Sequence, residues 1–382
     1  MLWKLWFIDS ATYKIIMKIA ICHEHIIDGD AVGNDILGMA EVLTKLGIET
    51  ILIGENIAES ISKIPTIILG NDNLNLNQFK ILIYHHSTFW DKDTKLLYNF
   101  SGTIIFKYHN ITPEFFFKPY SKLHYEHCLK GREQTSELLS HFPNSLWLAD
   151  SEFNRLDLID KHPELRNSKV VPPFHKQVFI PKKPQIEKKL PPKFLFVGRV
   201  APNKGHRVLI RVFHEYLKKY KNGSLLEIIG NTESTLKDYK EELIQLSKKL
   251  GISNQICWRE NLSDDEVKHS YNRASVFVCF SEHEGFCVPL VESQSMGLPI
   301  VTVDSSAIHE TLGVNQLIDR YPKKNHEFLF YAKVINEVLE NFDLKKEVVE
   351  SGYANFLSRF TFEKIGDYFV DSIFDSLKEY SK

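Results

Sequence analysis

From residue 17 onward the chain alternates between two rhythms of apolar and polar positions. KIAICHE and ETILIG are short, nearly continuous apolar runs that read as strands buried on both faces. Between them, ILGMAEVLTKLG repeats its apolar positions with the helical period and closes on glycine. PTIILG, KILIYHHS, GTIIFKYHN and SLWLADS continue the strand series, with the helix-like SKLHYEHCLKGREQTSELLSHF before the last of them. Strands alternating with helices predict a parallel sheet covered on both faces. At residues 170–193 the rhythm stops in VVPPFHKQVFIPKKPQIEKKLPPK, whose prolines cannot continue a strand or helix and whose lysines keep it solvated. It then restarts. FLFV and LLEIIG read as strands around the helix HRVLIRVFHEYLKKY, whose apolar positions are Val208, Leu209, Val212, Phe213, Tyr216 and Leu217. Ser263 and Glu266 form a capping box for the next helix, and SVFVCF is a further strand. The pattern predicts two doubly wound α/β domains, 17–180 and 194–360, joined by a linker at 181–193.

A length of 382 residues suits two domains. The formal net charge of -2 offers no electrostatic case for nucleic acid as a partner. Five cysteines (Cys22, Cys128, Cys257, Cys279, Cys287) form no CxxC pair and no zinc-ligand spacing, which predicts reduced thiols in a cytoplasmic protein. No apolar run reaches the ~18 residues of a membrane span. MLWKLWFIDSATYKII lacks the core and cleavage site of a signal peptide, and Met17 directly before the first strand is a candidate start.

Candidate chemistry concentrates in EHEGFCVPLVESQSMGLPIV, residues 282–301. Pro289 suits the first turn of a helix, Gly297 its end, and Pro299 a stop. The amino end of that helix carries orphan N–H groups and partial positive charge, which suit an anion, and in an open parallel sheet it lies at the carboxyl ends of the strands, where ligands bind. Glu292 sits one turn in and can accept hydrogen bonds from ligand hydroxyls; Glu284 lies in the loop ahead. At the start of the same domain FLFVGRVAPNKGH places Arg199 and Lys204 in a strand-to-helix loop between Gly198 and Gly205, a planar fork and a mobile charge that suit a diphosphate. On its own, RxxxxK is a weak signal, better read as a solvated loop. Neither GxxxxGK[ST] nor GxGxxG is present.

VGRVAPNKG, the strand ending at Gly230, SEHEGFCVPLVES and GLPIV together resemble the retaining nucleotide-sugar glycosyltransferases of family 4, most closely over 194–313. The resemblance implies the GT-B fold: two Rossmann-like domains with parallel sheets facing across a cleft, and a C-terminal helix, about 361–382, packed back on the first domain. It further implies that Arg199 and Lys204 hold the donor diphosphate, Glu292 the ribose hydroxyls, and Glu284 the donor sugar near the reacting carbon. Gly230 lines the donor site, and the backbone N–H groups of Gly285, Phe286, Cys287 and Val288 cradle sugar and phosphate oxygens. Two departures blur the donor's identity: Asn261 stands where the family has glycine, and His309 where it has proline.

In the first domain KYHNITPEFF resembles a bacterial mannosyltransferase-like subgroup, and places His109 near the transferred sugar; the alternative is a histidine satisfied by backbone at a strand end. His85 and His86 end the neighbouring strand and are read either as site lining or as packing. The resemblance also implies that the loop DGDAVGND approaches the donor phosphate and acceptor, with Gly33 at the close-contact position, although the tight double glycine is missing. Asp28–Gly29–Asp30 resembles a metal-binding DxD but sits in the domain without the phosphate elements, and His23–Glu24–His25 lacks a third ligand, so no metal is expected. FFFKPY, residues 115–120, suits a weak peripheral membrane or lipid-linked acceptor contact, or a loop that tucks its aromatics inward.

The expected function is a cytoplasmic, metal-independent retaining glycosyltransferase. It would move a hexose, mannose first among the candidates, from a GDP- or UDP-linked donor to a hydroxyl of a glycan or lipid-linked glycan in surface polysaccharide synthesis, with Glu284, His109, Arg199 and Lys204 as catalytic residues. A nucleotide-sugar epimerase of the same fold and a non-catalytic nucleotide-sugar-binding protein are the alternatives.

Overall fold

The computed structural model describes residues 18–70, 75–176, 191–220, 223–313, 317–320 and 325–379. The candidate start at Met17 and most of the 181–193 linker fall outside them. The described chain forms two compact units.

The first unit holds β1 (Lys18–Cys22), β2 (His25–Ile26), α1 (Ala31–Lys45), β3 (Glu49–Gly54), β4 (Asn56–Ile57), β5 (Thr66–Ile68), β6 (Ile81–His86), α2 (Asp93–Tyr98) and β7 (Thr103–Tyr108). After α3 (Lys122–His141) come β8 (Leu146–Ala149), α4 (Glu152–Lys161) and β9 (Ser168–Val170). Seven strands pair in the order β5-β3-β1-β6-β7-β8-β9, and every pairing is parallel. Successive side chains of a strand point to opposite faces, so each strand feeds two cores. Ile19 and Ile21 of β1 pack with Ile36 and Met39 of α1 on one face, while Ala20 and Cys22 pack with Leu138 and Leu139 of α3 on the other.

The second unit holds β10 (Lys193–Val197), α5 (His206–Tyr220), β11 (Leu225–Ile229), α6 (Lys237–Lys249), β12 (Ile256–Arg259), α7 (Asp264–Arg273), β13 (Val276–Cys279), α8 (Val288–Ser295) and β14 (Ile300–Asp304). It continues through α9 (Ile308–Leu312), β15 (Leu317–Arg320), α10 (Asn325–Glu340) and α11 (Phe342–Arg359). Its six strands run β12-β11-β10-β13-β14-β15, again all parallel. The apolar stripe of α5 is buried as its spacing predicts, from Val208 to Tyr216, with Leu217 partly buried against the same core. The Ser263–Glu266 capping box forms: the Glu266 N–H donates to Ser263 Oγ, and the Ser263 N–H donates to the Glu266 carboxylate at 2.9 Å. At two glycines the fold admits no side chain: a Cβ on Gly205 would lie 1.7 Å from the Phe280 carbonyl oxygen, and one on Gly230 would lie 1.9 Å from that of Gly198. These contacts let the strand-exit loops bearing Arg199 and Lys204 lie directly on the neighbouring strand ends.

Two segments cross the contiguous ranges of the units: the C-terminal helix, which the resemblance places on the first domain, and Thr112–Glu126, which the pattern had left in it. The last helix, α12 (Phe362–Glu379), belongs to the first unit, where Ile365, Phe369 and Ile373 join Ile36 and Met39 in one core. Thr112–Glu126 belongs to the second unit, not the first. Its Tyr120 hydroxyl donates to Glu242 at 3.2 Å, and His124 Nε2 lies 2.7 Å from Glu233. Side-chain bonds formed by Tyr120 and His124 explain a placement that strand order did not suggest.

Candidate functional site

Helix α8 opens at Cys287, one residue before the first residue of the helix, with Pro289 in its first turn. The loop in front of it is held from both sides. Asn203 donates to the His283 carbonyl at 3.1 Å, and the Glu284 N–H donates to Ser306 Oγ at 2.7 Å. Those two bonds turn the Glu284 side chain inward against Lys204, whose Nζ lies 2.8 and 2.7 Å from the two carboxylate oxygens. The pair is nearly buried, with side-chain exposures of 18% for Lys204 and 8% for Glu284. An ammonium has three donors, so after both carboxylate contacts one remains to be directed elsewhere. Gly285, Phe286, Cys287 and Val288 lead from this pair into the helix. Glu292 follows one turn in and accepts a 2.7 Å hydrogen bond from the buried Tyr271 hydroxyl. Burial pushes the Tyr271 phenol well above its ordinary range, with the Glu292 charge adding to the effect, so Tyr271 acts as a fixed donor.

Arg199 does not join this group. It lies more than half exposed and donates through Nη1 to Glu233 at 2.7 Å, while His124 holds the other Glu233 oxygen. The His124 hydrogen bond, and then the Arg199 charge, outweigh partial burial and draw the Glu233 carboxyl down to about 2. The two cations expected on one diphosphate thus each face a carboxylate of their own. Glu233 gives no advance signal, because nothing in NTES marks a loop glutamate as a partner of the strand-exit arginine.

In the first unit the structure gathers more charge than the sequence suggests. His85 Nδ1 lies 2.9 Å from His109 Nε2, and His109 Nδ1 lies 3.0 Å from Asp150 Oδ2. Lys107 meets Asp150 at 2.6 Å, donates to the Val171 carbonyl, and lies 3.8 Å from Asp35. Asp35 in turn accepts from the Phe174 N–H at 2.8 Å. Lys107 and Asp35 are fully buried. Burial pushes the Asp35 carboxyl up, against the pull of Lys107 and His109. For Asp150 burial acts the same way, but His109 and Lys107 outweigh it and the carboxyl ends below its ordinary range. Burial also depresses the histidines around them: His23 to about 4, His86 to about 3, and His85 well below its usual value. Both ring nitrogens of His109 are therefore engaged by Asp150 and His85. His86 Nε2 contacts Thr135 Oγ1 at 2.8 Å and packs in the sheet. Asp35, Lys107 and Asp150 were missed by sequence reading. Lys107 alternates correctly for one face of a strand, and only the burial of both faces brings it against a carboxylate 43 positions later.

The remaining expected residues resolve as follows. Gly33 makes its close approach inside the chain: a Cβ there would lie 1.8 Å from the Ile27 carbonyl oxygen, and its N–H donates to the helix cap Asp30 at 2.6 Å. Asp28 faces Lys176 at 3.3 Å, so Asp28 and Asp30 serve separate partners. His23 is buried and His25 exposed, because the strand breaks between them. Asn261 adopts φ 54, a left-handed conformation that asparagine tolerates and glycine prefers. In FFFKPY, Phe117 is buried and Phe115 exposed. Among the described residues no helix is long and apolar enough to cross a membrane.

Residues 179–355 match the family model described as "Glycosyl transferases group 1". The chain is 31% identical over 122 residues to the serotype-specific mannosyltransferase WbdA of Escherichia coli, covering 31% of this chain and 14% of that protein. It is 30% identical over 150 residues to an uncharacterized glycosyltransferase of Haemophilus influenzae, covering 39% of this chain and 38% of that one. The chain thus spans well under half the length of these curated relatives. Anabaena Alr3699/HepE, solved in complex with UDP and glucose, superposes with a TM-score of 0.74 over 94% of this chain and 100% of its own, at 16% identity. The chain has the GT-B fold of these solved structures, and the region matching glycosyl transferases group 1 lies almost wholly in its second unit.

Proposed function

We propose that this protein is a retaining glycosyltransferase that needs no metal ion and moves a hexose from a nucleoside diphosphate sugar to a hydroxyl of a glycan or lipid-linked glycan. The observation that carries the reading is the buried Lys204–Glu284 pair at the mouth of α8. The pair offers one carboxylate to a sugar and one remaining ammonium donor to the adjoining phosphate, at a helix end that itself favours anions. Glu292, fixed by Tyr271, takes the ribose hydroxyls. Arg199 leaves Glu233 and adds its planar fork to the diphosphate, a movement its exposure permits. As the bond from the anomeric carbon to the β-phosphate oxygen breaks, charge grows on that phosphate, and Lys204, Arg199 and the α8 mouth stabilise it. The acceptor hydroxyl attacks from the same face, and its proton passes to the departing β-phosphate oxygen.

His109 contributes through the position of its ring and backbone, since its two nitrogens are held by Asp150 and His85. Similarity to a mannosyltransferase over 122 residues supports mannose as the first hexose to try. The neighbour solved with UDP keeps UDP-sugars in the same trial. The test is incubation with GDP-mannose, UDP-glucose and related donors, scored for transfer and donor hydrolysis, beside calorimetric binding of GDP and UDP. Transfer that survives EDTA supports the reading. Interconversion of the donor sugar without an acceptor would make the protein an epimerase, and binding without turnover would make it a non-catalytic nucleotide-sugar-binding protein.

A further inference from the structure

Two thiols beside the α8 mouth are not used by that mechanism. Cys279 ends β13 and Cys287 caps α8, two rigid elements that bring both thiols to Glu284. The two sulfurs and a Glu284 carboxylate oxygen all lie within 4.8 Å of one another, and all three residues are buried. Ser281 Oγ lies 3.3 Å from the Cys279 sulfur and supports it from outside the group. The backbone adds an independent observation. Cys287 has φ 75 and ψ 69, in the left-handed region that favours glycine, and a non-glycine residue there costs roughly 1–3 kcal/mol. A thiol is thus held at a strained position where glycine would fit without strain.

We propose that Cys279, Cys287 and Glu284 form a site for a soft divalent cation, Zn2+ being the natural occupant, and that its binding inhibits the enzyme by taking the Glu284 carboxylate from the sugar. Thiolate and carboxylate are both zinc ligands, and two thiolates with one carboxylate leave the fourth tetrahedral position to water. Thiolates on one tetrahedral zinc lie about 3.8 Å apart, so the ligands need move little from their present places. Both thiols release their protons on binding. Lys204 does not oppose the ion. One Glu284 oxygen can ligate while the other keeps its ammonium, and three negative ligands then balance the zinc and the lysine. This site regulates, and differs from the metal-free transfer step.

The inhibitory part rests on the proposed transferase reading; the binding part does not. Binding is tested on the full chain with Zn2+ in competition with a chromophoric chelator, and with Co2+, whose thiolate ligation gives a near-ultraviolet charge-transfer band. One equivalent of tight binding is expected, with a Co2+ band. Cys279→Ser and Cys287→Gly should each weaken binding about 100-fold or more and abolish the band, with near-ultraviolet circular dichroism showing an intact fold. Cys287→Gly suits φ 75 and guards against a loss caused by misfolding. Cys257→Ser, at an exposed thiol, should change nothing. In transfer assays Zn2+ should inhibit the parent protein but not Cys279→Ser. Zn2+ affinity unchanged in both cysteine variants, or a Cys279–Cys287 disulfide in the purified protein, overturns the site. Absence of transfer by the zinc-free parent would instead count against the transferase reading and leave the binding result standing.

Discussion

The two units treat charge in opposite ways. In the first, Lys107, Asp150 and Asp35 sit in the middle of a sheet covered on both faces, tied to His109 and His85 and almost without access to water. In the second, Lys204 and Glu284 form one pair at the edge of the fold, in a loop that ends at a helix mouth. Taking a charge out of water is expensive, and a buried network costs most where a member lacks a partner. In the first unit both nitrogens of His109 are taken, by His85 and Asp150, while Asp35 Oδ2 and His85 Nε2 are buried without a hydrogen-bond partner. The Lys204–Glu284 pair retains one ammonium donor and partial exposure, the features a ligand site needs.

The sharpest way to break the comparison is to remove one member of each. Lys107→Met leaves Asp150 buried without its ammonium and should destabilise the first unit by about 3–5 kcal/mol, read from the urea midpoint. Adding Asp150→Leu should recover part of that loss, because no bare charge then remains. Lys204→Ala also strips Glu284 of its ammonium, but at a pair that keeps partial exposure, so it should lower the urea midpoint by less than Lys107→Met while lowering turnover by roughly 10²–10³, the usual cost of one donor to developing charge. If Lys204→Ala unfolds the protein and Lys107→Met does not, the contrast is reversed.

Acid offers a milder test. His23 and His86, with folded pKa values of about 4 and about 3, and His85, also depressed, stay neutral in the first unit when the unfolded chain already takes protons near 6.5. Their contribution is complete above that pH and is lost as pH falls from about 6.5 toward their folded values. The second unit carries one comparable histidine, His206, at about 3, among the described residues. Each such histidine costs about 1.4 kcal/mol per pH unit in this window, so the first unit should lose roughly 3 kcal/mol per pH unit more than the second. Asp35, whose pKa is raised, acts with the opposite sign, and Asp150, whose pKa is lowered, acts with the same sign as the histidines. Hydrogen exchange at β6 and β10 between pH 7 and pH 5, corrected for intrinsic rates, should show β6 opening first. The smallest effect is expected from Tyr271→Phe, which frees Glu292 of its fixed donor. Nucleotide affinity should fall by about 1 kcal/mol, roughly fivefold, with turnover unchanged.

How far each unit could be read in advance follows the same division. The α5 stripe, the Ser263–Glu266 box and the Pro289–Gly297 helix are local patterns, set by residues three to eight positions apart, and all three form. Lys204 and Glu284 are 80 positions apart, yet each carries its own loop signature, so their place in one site was expected, though not their direct pairing. Lys107 and Asp150 carry none. Their pairing depends on parallel β7 and β8 lying side by side with both faces covered, and a lysine in KYHN looks like any solvent-facing strand residue. Arg199 was legible as a cation but not as the partner of Glu233, because loop paths are set by packing rather than by period. His109 was legible as a strand-end residue, but the two neighbours that occupy its nitrogens were not.

The place of α12 in the first unit has a consequence for synthesis. Ile365, Phe369 and Ile373 complete a core whose other wall, on α1, is made more than 300 residues earlier. At about 5–20 residues per second the ribosome takes roughly 15–60 s to bridge that interval. Until then the α1 face of the nascent first sheet is missing part of its cover, while the second sheet is translated and can fold around its own helices. An order of assembly in which the later unit finishes first follows, and with it a period in which Ile36 and Met39 lack their α12 contacts and are exposed to chaperones.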